Sequence, residues 1–346
     1  MDNYPIDRIL FEATEFCKNR CYFCYGDYSP KGKHMALEQF ETYIRNLIGT
    51  NLVAPNALLI LFGGEFLNHP QSTEIFRIAS NVKKQGMKLV IITSGKYMEE
   101  FNDQVEELMR HHDGFSHWEV SVKDFESFQF GLRLVERGLN VCFRYDYLDV
   151  RDLRLQINLF VQNVRFAGLW KNFLKCNPRL VKGLKHAHRL ACQQRDAVIL
   201  QEFYCPMRDG KVASAALTFS CLDRSVMRIG SSKVQAKCSL FHPVYQKAIH
   251  VSRDGTIYPC HLPRYKKKCQ ALGSAIDTFF LNTYRERIDQ FQRAVRGLYK
   301  DEICTDGCRG KIELGAMGQT DITLAGGVLV GEAPQRVRAF PRPSPR

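Results

Sequence analysis

The chain has 346 residues and carries 49 Lys+Arg against 36 Asp+Glu, a formal charge of +13; that length suggests about two domains and a sizeable buried core. Hydrophobic residues at 45% and charged residues at 25% exclude a disordered or fibrous chain, and no run of about 18 apolar residues is present to cross a membrane. With no signal pattern in residues 1–8, the expectation is a cytoplasmic globular enzyme, whose thirteen cysteines point to metal or cluster ligation rather than disulfides.

In chain order, the candidate strands are 8–13, 57–62, 87–93, 118–122 and 140–147. Amphipathic helical patterns separate them at 36–48, 72–84, 98–110 and 125–137. Strand and helix at this rhythm mean βαβ units and a parallel sheet, either open or bent into part of a barrel. The strands are nearly continuously apolar, as strands covered on both faces should be. Ligands of such sheets bind at the carboxyl ends of the strands.

Residues 165–189 hold seven Lys/Arg and no acid. Leu169, Phe173, Leu180 and Leu184 give this segment an apolar side, so it reads as a basic amphipathic helix broken at Pro178. A sixth strand is expected at 197–203, and the βα rhythm stops near 215. Residues 247–252 and 256–260, joined by Arg253-Asp254-Gly255, read as a hairpin with an Asp-Gly turn. A late helix is expected over 278–296. The Pro/Arg/Ala-rich end, 330–346, reads as a disordered tail.

The loop after the first strand holds Cys17, Cys21 and Cys24 in a C-x3-C-x2-C spacing. Three thiolates on one tight loop suit an iron–sulfur cluster. A four-iron cluster with three protein ligands leaves one iron open, and an open coordination site makes a metal reactive rather than structural. A zinc site is the lesser reading, because zinc normally takes four ligands and the nearest further candidate, His34, is ten residues on.

The triplet, with Phe23 before its third cysteine, resembles the signature of the radical S-adenosylmethionine (SAM) superfamily. Gly63-Gly64-Glu65 after the second strand is similar to that family's GGE motif, whose backbone and carboxylate meet the SAM amino group. Glycine there allows close backbone approach to the ligand. Thr93-Ser94-Gly95 is similar to the family's T-N-G, with Ser94 replacing Asn. Ser121-Val122-Lys123-Asp124 resembles its S-x-D-G segment, although Asp124 reads equally as a helix N-cap. Arg144 falls where relatives place a basic residue on the SAM carboxylate; an arginine in an apolar strand must in any case find an anion.

The resemblance covers residues 8–205. It implies an α/β fold, a partial (βα)6 TIM barrel over 1–210 followed by a small α+β auxiliary iron–sulfur domain over 215–325. It also implies a [4Fe-4S] cluster on Cys17, Cys21 and Cys24. One electron from that cluster cleaves bound SAM to methionine and a 5′-deoxyadenosyl radical, which abstracts a substrate hydrogen; the electron donor would be a flavodoxin or ferredoxin.

In the C-terminal part, Gly255-x4-Cys260 with Cys304-x3-Cys308 downstream resembles the SPASM and twitch extensions of this superfamily, which bind auxiliary [4Fe-4S] clusters. A second auxiliary cluster would lack ligands, so one is expected, held by Cys238, Cys260 and Cys308 with Cys304 or Cys221 as fourth ligand and Cys269 in reserve. Cys142, Cys176, Cys192 and Cys205 read as ordinary reduced thiols. His261 stands where sulfatase-maturing relatives carry an acidic residue, which argues against formylglycine formation.

Enzymes of this kind mostly modify ribosomally made peptides or proteins, and the segment 165–189 suits an acidic leader peptide by complementary charge. RNA is the second choice of partner, since no aromatic-interleaved RNA motif accompanies the charge. With the cysteine triplet beginning at residue 17, leader binding would use another surface or a separate protein. The competing readings are a radical enzyme acting on RNA or a small metabolite, and a non-catalytic iron–sulfur or zinc scaffold.

Overall fold

A computed structural model describes residues 6–19, 21, 28–83, 86–96, 105–108, 115–147, 150–178, 180, 184, 199–206, 212–221, 227–229, 232–234, 248–258, 273–277, 281, 283–284, 286, 312–313 and 323–324. Five parallel strands lie side by side in chain order: β1 (Ile6–Thr14), β2 (Val53–Gly63), β3 (Lys88–Thr93), β4 (Phe115–Ser121) and β5 (Val141–Tyr147). The helices between them are α1 (Leu37–Ile48), α2 (Ser72–Lys83) and α3 (Phe125–Glu136), with residues 105–108 helical between β3 and β4. Each overlaps its sequence-expected element, because side-chain period alone separates these strands from these helices.

Alternate strand residues face opposite ways, and in β1, β4 and β5 the two faces differ in chemistry. Phe11 packs edge-on to Phe40 of α1, Trp118 on Phe130 of α3, and Phe143 on Phe128 of α3. The core therefore lies between the sheet and its helices. The intervening positions near the ends of β1, β4 and β5 carry Glu12, Glu119, Ser121, Arg144 and Asp146, while β2 and β3 are apolar on both faces.

Beyond β5 the structure departs from the sequence expectation. A 17-residue helix, α4 (Val150–Phe166), fills a span given no element, with Leu153, Phe160 and Val164 buried. Its pattern is blurred by Leu155 and Phe166, which are 64% and 71% exposed. A short α5 (Trp170–Cys176) ends just before Pro178, and Phe173, Leu180 and Leu184 are buried, as the amphipathic reading required.

The sixth strand expected at 197–203 forms. β6 (Ile199–Pro206) is the sheet's edge, antiparallel to β7 (Val212–Cys221), and β7 is the strand that lies parallel beside β5. β7 spans residues 212–221 and follows β6 with no helix between them in the described residues. A strand's neighbour is set by hydrogen-bond register across the sheet, which sequence order does not encode. Asn177 closes part of the open edge: its amide donates to Tyr204 O and accepts from Tyr204 N, both at 2.7 Å.

Two short strands, β8 (Met227–Ile229) and β9 (Ser232–Val234), pair with each other. The expected hairpin forms as β10 (Ala248–Val251) and β11 (Thr256–Tyr258), and its Asp254 carboxylate accepts from Ser252 Oγ and Thr256 N. The hairpin is not separate from the barrel sheet. β10 lies parallel to β1 with Leu10 opposite His250, and β12 (Gly273–Ser274) pairs outside β11. Glu12 and His250, both fully buried, meet across this seam at 2.9 Å. Of the late helix, residues 281, 283, 284 and 286 are helical, with Leu281 and Tyr284 buried. The tail 330–346 lies outside the described residues. The sheet is therefore mostly parallel and helix-covered, in keeping with a partial TIM barrel. Two last short strands, β13 (Ile312–Glu313) and β14 (Thr323–Leu324), pair with each other.

Candidate active site

The carboxyl ends of β1 to β5 gather most of the site residues foreseen in the sequence. After β1 the chain passes through Phe16 into Cys17, which is 6% exposed, and on to the half-buried Cys21. Thr14 sets the path of this loop: its hydroxyl accepts from Phe16 N at 2.9 Å and pairs with His34 Nδ1 at 2.9 Å. Cys17 N donates to Ser29 O at 3.0 Å, which closes the loop on itself. Phe16 and His69 both pack on the His34 ring, and burial lowers the His34 pKa, so an uncharged aromatic group backs the loop. Phe23 and Cys24 lie outside the described residues.

Gly63 and Gly64 bring the end of β2 against this loop. Gly64 N donates to Thr14 O at 2.7 Å, and Glu65 N donates to Phe16 O at 3.0 Å. A Cβ on Gly63 would overlap Thr14 O, and its φ of +140° suits glycine alone. A Cβ on Gly64 would overlap Phe16 O and come within 3.0 Å of Cys17 Cβ. The glycines thus permit a backbone approach to the cysteine loop itself, a reason the motif alone did not reveal.

Glu65 is 2% exposed. Its Oε1 accepts from Thr93 Oγ1 at 2.5 Å and Leu67 N at 3.4 Å, and its Oε2 accepts from Ser94 N at 2.8 Å and Ser94 Oγ at 2.5 Å. Burial pushes its pKa up, against the downward pull of these hydrogen bonds. Ser94 Oγ also accepts from Asn19 Nδ2 at 2.7 Å. Asn19 lies between Cys17 and Cys21, so one chain of hydrogen bonds joins the cysteine loop to the ends of β2 and β3. No sequence signal singled out Asn19.

Across the ends of β4 and β5, Ser121 and Arg144 come together in an ion-pair cluster. Arg144 Nε and Lys123 Nζ each donate to Asp146 at 2.8 Å, Ser121 Oγ donates to it at 2.9 Å, and Arg144 also reaches Glu119 at 3.3 Å. Burial alone would raise the Asp146 pKa, but the Arg144 and Lys123 charges hold it down to about 2. Arg144 has thus found anions within the protein. Lys123, Asp146 and Glu119 were missed, although polar residues two apart near the ends of apolar strands were a usable signal. Asp124 is the N-cap of α3, accepting from Ser127 N at 3.1 Å, so its capping role holds.

Cys142 and Cys205 are buried, and desolvation pushes the Cys205 thiol up to about 12, in line with inert thiols. Cys192, Cys238, Cys260, Cys269, Cys304 and Cys308 lie outside the described residues. Cys221 ends β7.

The donor set fits the group implied by the sequence. The soft thiol of Cys17 suits iron–sulfur ligation, and the Gly63-Gly64 turn packs its backbone directly on the loop that carries it.

The family model of the Radical SAM superfamily matches residues 11–148. That segment, which holds Cys17, Cys21, Gly63, Gly64, Glu65, Ser94, Ser121 and Arg144, is therefore similar to a radical SAM domain. No curated protein matches it in sequence. Among solved structures it is similar to Streptococcus suis SuiB bound to precursor peptide SuiA, at 11% identity and a TM-score of 0.48 over 81% of this chain. It spans 64% of the SuiB chain. BtrN in complex with AdoMet and 2-DOIA matches at 13% identity and a TM-score of 0.47, over 88% of this chain and 92% of BtrN. Native anSMEcpe with bound AdoMet and Cp18Cys peptide matches at 14% identity and a TM-score of 0.41, over 88% of each chain. Among the described residues, no helix is long and apolar enough to cross a membrane.

Proposed function

We propose that the chain uses SAM and a [4Fe-4S] cluster on Cys17, Cys21 and Cys24 to abstract a hydrogen atom from a ribosomally made peptide or protein. The observation that carries this reading is Cys17, buried at the carboxyl end of β1 and pressed against the Gly63-Gly64 turn inside the segment that matches the family. When bound, SAM and the reduced cluster supply a 5′-deoxyadenosyl radical. The chain's own residues supply position. The backbone of Gly64 and Glu65 ties the end of β2 to the cysteine loop, and Glu65, Ser94 and Asn19 tie that loop to the end of β3. Arg144, Ser121 and Phe23 are the remaining candidates for contact with SAM.

The domain over 215–325 is taken to hold one auxiliary [4Fe-4S] cluster, on Cys238, Cys260 and Cys308 with Cys304 or Cys221. A peptide substrate is supported by the charge of +13 and the acid-free stretch 165–189. Arg165, Lys171 and Lys175 are exposed there beside Phe166 and Leu174, a basic and apolar surface suited to an acidic amphipathic segment.

Anaerobic reconstitution should give about eight irons per chain, four for each cluster. Dithionite with SAM should then release 5′-deoxyadenosine, and changing Cys17, Cys21 and Cys24 together to Ala should abolish it. Release that persists in the triple variant would overturn the assignment.

A further inference from the structure

Residues 153–195 contain nine Lys/Arg and no Asp or Glu, in a chain whose net charge is +13. Helices α4 and α5, which open this stretch, pack on each other through the buried Phe160 and Phe173, whose rings lie 5.7 Å apart. Their opposite faces therefore turn to solvent. On α4, Leu155 and Phe166 are spaced i, i+11 and share one side of the helix. They are 64% and 71% exposed and, at 1.5 Å per residue, stand roughly 16 Å apart, about three helical turns. On α5, Lys171, Leu174 and Lys175 share an exposed face at i, i+3, i+4. The Arg165 guanidinium lies over the Trp170 ring at 4.9 Å, which fixes a further cation beside Phe166. Apolar side chains gathered on an exposed face and rimmed by charge mark an interaction site.

The place of this face in the fold relates it to the cysteine loop. The Phe166 ring packs edge-on at 5.8 Å against Phe125, the first residue of α3, which follows the carboxyl end of β4. Phe166 thus stands at the end of the sheet where the chain leaves β1 for Cys17. β4 is three strands from β1, or roughly 14 Å at the usual strand spacing. A phosphate backbone would use the cations of this face but not its leucines, and a second copy of the chain would bring a like charge of +13. A bilayer would use both kinds of side chain but gains nothing from the strand ends, whereas a substrate must reach them.

We infer that the α4–α5 face docks an acidic amphipathic segment of the peptide or protein substrate, about three helical turns long. Its apolar side lies along Leu155 and Phe166, and its carboxylates meet Arg165, Lys171 and Lys175. The inference rests on the radical SAM reading and adds where the substrate is held apart from its reacting residue. Crossing roughly 14 Å in extended chain takes at least about four residues, which is the shortest spacer between the docked segment and the reacting residue.

The test uses the full-length, reconstituted protein and a fluorescein-labelled helix-forming peptide of Glu, Leu and Ala, with its leucines on one side. Binding is read by fluorescence anisotropy, and circular dichroism of each variant separates lost docking from lost fold. Lys171→Glu with Lys175→Glu should weaken binding about tenfold, and so should Leu155→Ser with Phe166→Ser. Arg45→Glu with Arg77→Glu makes the same change in net charge on exposed positions of α1 and α2 and should alter binding less than about twofold. Equal weakening by that pair would reduce the attraction to net charge and overturn the inference. Undiminished binding by the Leu155 and Phe166 variant would overturn it too, as would tighter binding of oligouridine RNA or of phosphatidylserine vesicles than of the peptide. Release of 5′-deoxyadenosine with dithionite and SAM is measured on the same wild-type sample. Docking without release would overturn the functional reading, and with it the substrate role of this face; release without docking would overturn this inference alone.

Discussion

Asp146→Asn removes one negative charge from the centre of the β4–β5 cluster while keeping its shape. The Asp146 side chain is 1% exposed, and Lys123 and Arg144 beside it are 14% and 13% exposed, so solvent screens this cluster little. The Asp146 pKa falls from an ordinary 3.8 to about 2. A shift of that size is worth roughly 2 kcal/mol of stability at neutral pH. Breaking a buried pair by losing one partner typically costs about 3–5 kcal/mol. The expected loss at pH 7 is therefore about 3 kcal/mol. Because the folded-state pKa is depressed, this stabilisation is fully present above the ordinary aspartate pKa and disappears as pH falls toward 2; about half should remain at pH 3. Urea unfolding of wild type and Asp146→Asn at both pH values measures it. A loss below about 1 kcal/mol at pH 7, or an equal loss at both, would refute the electrostatic account. Adding Lys123→Met should recover part of the loss, since the lysine then no longer lacks its anion.

Two further outcomes follow from backbone geometry. Gly64→Ala should leave the fold intact by circular dichroism but lower reconstituted iron several-fold, because its Cβ would press on Phe16 O and Cys17 Cβ; iron at wild-type level would show that the contact is relieved without moving the loop. Asn177→Ala should cost about 2 kcal/mol, from two hydrogen bonds lost at the β6 edge. It should also speed exchange of the Tyr204 amide, which Asn177 Oδ1 protects at 2.7 Å; unchanged exchange would place the protection elsewhere.

The site was legible in the sequence to the extent that it depends on local spacing. Cys17, Cys21, Glu65 and Ser94 follow strands, and Gly63, Ser121 and Arg144 lie in the last residues of strands; those strands were readable as apolar runs between helical patterns, and parallel βα units place strand ends together. Asn19 was not legible, because an asparagine in a loop has no signature until Ser94 and Glu65 are brought to it from 75 and 46 residues away in sequence.

The sequence by itself determined the alternation of strand and helix through residue 147, the cysteine spacing after the first strand, the cap at Asp124 and the hairpin turn at Asp254-Gly255. Each of these is a local matter of periodicity, turn chemistry or ligand spacing. Tertiary structure alone decided that β7 rather than β6 continues the parallel sheet, and that the hairpin 248–258 joins β1 through Glu12 and His250. It also decided that Arg144 is engaged by Asp146 and Glu119, and that the Glu65 carboxylate is bound to Thr93 and Ser94. Those outcomes depend on which distant groups meet in a buried space, where a charge or polar atom must find a partner.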